Sequence, residues 1–141
     1  MLELVEHSEF VYILETNGMT IGHDPKLSTA LSRFKNLHVR VSIKGSSPAQ
    51  FHELTGARPD SYWLPYRAME RLIDEKISCN ACLMASFSDE KDIETVKQRL
   101  LKIHPGILRS LETESITLFP KVKQRLKLNR LTPLRTRNRA K

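Results

Sequence analysis

An α/β fold of about four parallel strands with outer helices, a partial (β/α) barrel, is what the order of segments in this 141-residue chain predicts. Three observations carry the prediction. Short β-prone apolar runs alternate with segments of helical periodicity. Two of those runs end in polar residues and glycine, Glu15-Thr16-Asn17-Gly18 and Ser42-Ile43-Lys44-Gly45. The helices between them open on start signals in which proline or acidic residues follow a capping side chain. Strict alternation implies right-handed crossovers. Four such units make half of an eight-fold barrel or most of a smaller open one.

Residues 1–8 read as the last turns of a helix, with Leu2, Leu4 and Val5 among acids. Phe10–Leu14 is a near-continuous apolar run, suited to a strand buried on both faces of a parallel sheet. Asp24-Pro25 starts a helix, and Leu27, Ala30, Leu31 and Phe34 fall on one apolar face of it. The second strand spans 38–43. Ser47-Pro48-Ala49-Gln50 then has the form of a capping box with proline at the first helical position. That short helix ends near Thr55-Gly56, and a second runs over about 61–76. The third strand covers about 79–87. Ser88-Asp89-Glu90 caps a helix over 89–103, placing acids at the positive end of its dipole. The fourth strand covers about 111–119 and stops before Pro120. The organisation expected is an α/β domain over 1–120, a basic amphipathic helix over 121–131 and a disordered basic tail over 132–141.

Composition narrows the class. A hydrophobic fraction of 40% and a charged fraction of 28% are those of a globular domain. No apolar run approaches the ~18 residues of a membrane span, and the acidic first residues do not read as a secretory signal. Two cysteines in such a chain read as reduced thiols, with a cytoplasmic location expected. The net charge of +7 is unevenly placed. Nine of the 23 Lys and Arg fall in 121–141, which holds no acid; the other 14 face 16 Asp and Glu, a net of −2. A basic tail of this kind can neutralise phosphates, although it has no aromatic residue for base stacking. A non-catalytic module docking on nucleic acid or an acidic partner is therefore the alternative function.

Ligands of such folds sit at the C-terminal ends of the strands. There the chain places Glu15, Thr16 and Asn17, Ser42 and Lys44, Ser86 to Ser88, and Glu114 to Thr117. Carboxylate, amide, hydroxyl and ammonium together suit a zwitterionic or ribose-bearing ligand. The same residue types also make turns and helix caps, and both readings stay open. Cys79 and Cys82 lie three apart near the start of the third strand, so their side chains point to opposite faces. Ordinary core cysteines are expected rather than a metal pair. The five histidines share no ligand spacing.

Glu15-Thr16-Asn17-Gly18, then Ile21-Gly22, then Val39 to Gly45 resembles the middle of radical SAM proteins, nearest the pyruvate formate-lyase activating enzyme group and related iron–sulfur oxidoreductases. Phe51 with Thr55-Gly56-Ala57 is similar to the helical segment that follows. The resemblance covers about residues 1–120 and implies S-adenosylmethionine as cofactor, with Glu15, Thr16, Asn17, Ser42 and Lys44 at its site and Lys44 facing its carboxylate. It implies reductive cleavage of that cofactor to a 5′-deoxyadenosyl radical. Glu15 and Ser42 stand where the group carries aspartates. The family's 4Fe–4S cluster sits on a C-x-x-x-C-x-x-C loop that this sequence does not contain. The expectation is a fragment or subunit completed by a separate chain carrying the cluster-binding half.

Overall fold

The structure is a computed structural model and describes residues 8–137. The helix expected over residues 1–8, and residues 138–141 of the expected tail, fall outside that range apart from Ser8. Within it the chain is mixed α/β. Four parallel strands, β1 Tyr12–Thr16, β2 Leu37–Lys44, β3 Ser78–Met84 and β4 Glu112–Glu114, lie side by side in chain order. The helices are α1 Met19–His23, α2 Pro25–Leu31, α3 Pro48–Thr55, α4 Leu64–Asp74, α5 Glu90–Ile103 and α6 Pro120–Leu128. The arrangement is that of a partial (β/α) barrel.

The start signals act locally as their chemistry requires. The Asp24 carboxylate accepts from the Lys26 N–H at 2.9 Å, and the Asp89 carboxylate from Asp92 N–H at 2.8 Å. Ser47 Oγ accepts from Gln50 N–H at 3.2 Å. Gln50 Oε1 reaches back one residue further than in a standard capping box and accepts from Ser46 N–H at 2.7 Å. Helices α4 and α6 end in Schellman turns, with Lys76 and Arg130 in the left-handed region at φ 57° and 54°. The closing bonds run from Ile77 N–H to Leu72 O and from Leu131 N–H to Leu126 O, both 2.9 Å.

One face of the sheet makes the core. Leu37, Val39, Val41 and Ile43 of β2 and Ala81 and Leu83 of β3 are buried in one cluster with Leu31, Met69, Leu72, Val96 and Leu100 from the helices. A second tie is polar. The Arg99 guanidinium donates to Tyr62 Oη at 2.6 Å and to the Ser46 carbonyl, and the Tyr62 and Tyr66 hydroxyls are 2.9 Å apart.

Three elements differ from the sequence expectation. The run Phe10–Leu14 is not buried on both faces: β1 starts at Tyr12, is an edge strand, and leaves Phe10, Val11 and Ile13 exposed at 79%, 65% and 57%. The expected helix over 61–76 is a 3-10 turn, Pro59–Trp63, running into α4, because Pro65 has no N–H to continue an α-helical ladder back to Ser61. The fourth strand is three residues long rather than nine. Its extension is replaced by side-chain pairing, in which Ser86 Oγ accepts the Ile116 N–H at 2.8 Å. Residues 132–137 pass over the strand ends. The Leu134 and Arg135 N–H groups donate to Ser86 O at 2.7 and 3.3 Å, and Arg137 N–H to Ile116 O at 3.0 Å.

Candidate functional site

Period-two alternation puts Glu15, His38, Arg40, Ser42, Lys44, Asn80, Cys82, Glu112 and Glu114 on the sheet face opposite the core, in the pairing register Glu15↔Arg40, Arg40↔Asn80, Ser42↔Cys82 and Cys82↔Glu112. These groups form a polar chain across all four strands. His38 links to Ser78 Oγ at 2.8 Å and to Asn80 Oδ1 at 2.9 Å, and the Asn80 amide donates to Glu112 Oε1 at 2.7 Å.

Arg40 is the hub. Its guanidinium donates to Glu15 Oε1 at 2.7 Å, to Glu112 Oε2 at 2.7 and 3.0 Å, to Glu114 Oε1 at 2.5 Å and to Cys82 Sγ at 3.2 Å. Those bonds, first to Glu112 and then to Glu114, raise its pKa far above the ordinary value. In return the guanidinium holds the carboxyls of Glu112 and Glu114 below the usual range. The Cys82 thiol is 1% exposed, and burial, then the Glu114 charge, push it up to about 12. Burial pushes Cys79 up to about 11.

At the C-terminal end of this face, Glu15, Thr16, Asn17, Ser42 and Lys44 line one cavity of about 250 Å³ with Arg40, Cys82 and Glu114. All five residues expected at a cofactor site are thus brought together. Their present partners differ. Thr16 Oγ1 accepts from Gly18 N–H at 3.1 Å and Asn17 Oδ1 from Met19 N–H at 3.0 Å, so both shape the β1–α1 turn. Glu15 is paired with Arg40. Among the described residues Lys44 has no ion pair and is exposed. Gly18 and Gly45, at φ 70° and 77°, let both strands turn sharply here; a Cβ on Gly45 would lie 2.8 Å from Phe51 N.

Arg40 and Cys82 were not expected at the site. Arg40 was hidden inside a strand pattern, although alternation from Ser42 and Lys44 puts it on their face. Cys82 was expected in the core at the N-terminal end of its strand. It lies instead in the later half of β3, opposite Ser42, because β3 starts at Ser78 and ends at Met84. The opposite-face expectation holds: Cys79 points away from Cys82 by strand alternation, so the two thiols cannot share one cluster. Cys82, Glu112 and Glu114 place three ligand atoms within 4.8 Å of one another, but the cation among them is the Arg40 guanidinium.

No family model matches the chain, and no curated protein or solved structure matches it. No helix among the described residues is long and apolar enough to cross a membrane.

Proposed function

We propose that this chain supplies the S-adenosylmethionine-binding part of a radical SAM iron–sulfur oxidoreductase, with the cluster held by a separate chain. The supporting observation is the convergence of Glu15, Thr16, Asn17, Ser42 and Lys44 on one cavity at the strands' C-terminal ends. The donor set fits the cofactor in part. Lys44, with no ion pair among the described residues, is an ammonium suited to a carboxylate, and Ser42 offers a hydroxyl beside it. It does not fit the cluster, since one buried thiol and one on the opposite face are no ligand set. The reductive chemistry therefore belongs to the partner. This chain binds and orients the ligand and shields it with the Arg40 network. The exposed edge of β1, with Phe10, Val11 and Ile13, is where a further strand would join.

Calorimetric titration of S-adenosylmethionine tests the binding role. Lys44→Gln is expected to weaken affinity roughly tenfold by removing a charge-assisted contact. Absence of heat, together with unchanged amide resonances at Asn17, Ser42 and Lys44, would refute it. Anaerobic reconstitution with iron and sulfide, alone and with the product of the neighbouring upstream gene, tests the partner: a cluster is expected only in the mixture.

The outer surface of α6 favours a second reading, a non-catalytic module meeting nucleic acid or an acidic partner. Lys121, Lys123 and Lys127 are exposed there and enter no ion pair among the described residues. A gel shift left unchanged when all three are replaced by Gln would sink it.

A further inference from the structure

A second cleft, of about 290 Å³, opens beside the first, between α3, the loop after β3 and the inward side of α6. Its wall is mostly apolar, with Leu54 from α3, Phe87 from the loop, and Val122 and Leu126 from α6. Two cations complete it, Lys44 from β2 and Arg125 from α6, and no Asp or Glu lines it. Neither cation has an ion pair among the described residues, although the chain elsewhere pairs Arg40, Arg58 and Arg135 with carboxylates. The cleft is held on its outer side. The Schellman turn ends α6, the Asn129 amide donates to Arg125 O at 2.8 Å, and the following segment is bonded to Ser86 O.

We propose that this cleft binds a small organic anion with an apolar body, its charged end between Lys44 and Arg125 and its body against Leu54, Phe87, Val122 and Leu126. The physical argument is complementarity. Two cations with no ion pair among the described residues line one apolar concavity, and a carboxylate or phosphate can meet them while the hydrocarbon displaces water from the wall. It also gives the basic helix an inward function: Arg125 is a ligand-binding residue, distinct from the outward Lys121, Lys123 and Lys127.

Octanoate, octyl phosphate and octanol are the probes, titrated into the whole chain by calorimetry and ¹⁵N–¹H correlation spectra. One or both anions should bind with shifts at Phe87, Val122 and Leu126, and octanol roughly tenfold more weakly. The preferred anion tells carboxylate from phosphate. Arg125→Gln and Lys44→Gln should each weaken the anion about tenfold and leave octanol unchanged. Because Lys44 lies on β2, its variant gives the same readout if Arg125→Gln loosens α6. Failure of both anions to bind, equal affinity for octanol, or octanoate and octyl phosphate affinities unmoved in both variants would overturn the proposal. Octanoate carries no adenosyl group, so its binding can persist where S-adenosylmethionine fails, and Arg125→Gln should leave any S-adenosylmethionine affinity in place.

Discussion

Replacing Arg40 by Met removes the only cation that the described residues place among Glu15, Glu112 and Glu114, while keeping an unbranched stem in its place. The guanidinium side chain is 19% exposed, but the carboxylates of Glu15 and Glu114 are 69% and 43% exposed, so solvent screens both pairs. Exposed pairs contribute roughly 0.2–1 kcal/mol each, and these two together about 1 kcal/mol. Glu112, on the solvated edge strand, is left out of that figure. The variant also leaves three carboxylates facing one another, which adds repulsion at neutral pH. The sign of the pH dependence follows from the lowered pKa values of Glu112 and Glu114. Their contribution is present above the unfolded value, about 4.3, and is lost as pH falls through the folded values. Urea denaturation followed by circular dichroism at pH 7, 5 and 3 should therefore show the wild type ahead by about 1 kcal/mol or more at pH 7. The gap should narrow as pH falls toward 3, and narrow in 1 M salt. A gap that is the same at pH 3 as at pH 7 would refute the ionic account and leave packing of the stem as the cause.

The remaining predictions concern thiols, a turn and the tyrosine pair. With Cys82 pushed up to about 12 and Cys79 to about 11, both thiols should alkylate at least roughly 100-fold more slowly in the folded chain at pH 8 than after unfolding, by mass spectrometry. The same raised values mean that stability is intact below about pH 8.5 and is lost as pH climbs toward 12, a trend thermal melts at pH 8 and 10.5 would display. Gly45→Ala forces a left-handed φ on alanine and a close approach to Phe51 N, and should cost about 2 kcal/mol in chemical denaturation. Tyr66→Phe leaves Tyr62 bonded to Arg99 and should cost about 1 kcal/mol, whereas Tyr62→Phe takes a partner from both Arg99, which keeps the Ser46 carbonyl, and the Tyr66 hydroxyl, and should cost about 2 kcal/mol. Equal costs would show that the hydroxyls do not act as one network.

Local signals in the sequence carried far. Asp24, Ser47 and Asp89 cap the helices they were expected to cap, since an N-cap needs only a neighbouring N–H. The turns at Gly18 and Gly45 were legible for the same reason. What the sequence did not reveal depends on register. Whether Cys82 faces the core or the polar side changes with a one-residue shift in the pairing of β3 with β2. Lys76 and Arg130 end their helices in a conformation usually given to glycine, so no glycine marked either stop. Arg40 shares its strand face with Ser42 and Lys44 by alternation. Its role appears only when Glu112 and Glu114, some seventy residues on, are brought alongside.

That separation bears on how the chain assembles. The strands sit in chain order, and their paired residues lie 25, 40 and 30 apart, as in Tyr12↔Leu37, His38↔Ser78 and Cys82↔Glu112. Each new unit can therefore dock on the one before it, as in a growing array. The Arg40 bonds to Glu112 and Glu114 span 72 and 74 residues and form only once β4 has arrived. They latch an already built sheet, so their energy should appear in the rate at which the chain opens and hardly at all in the rate at which it folds.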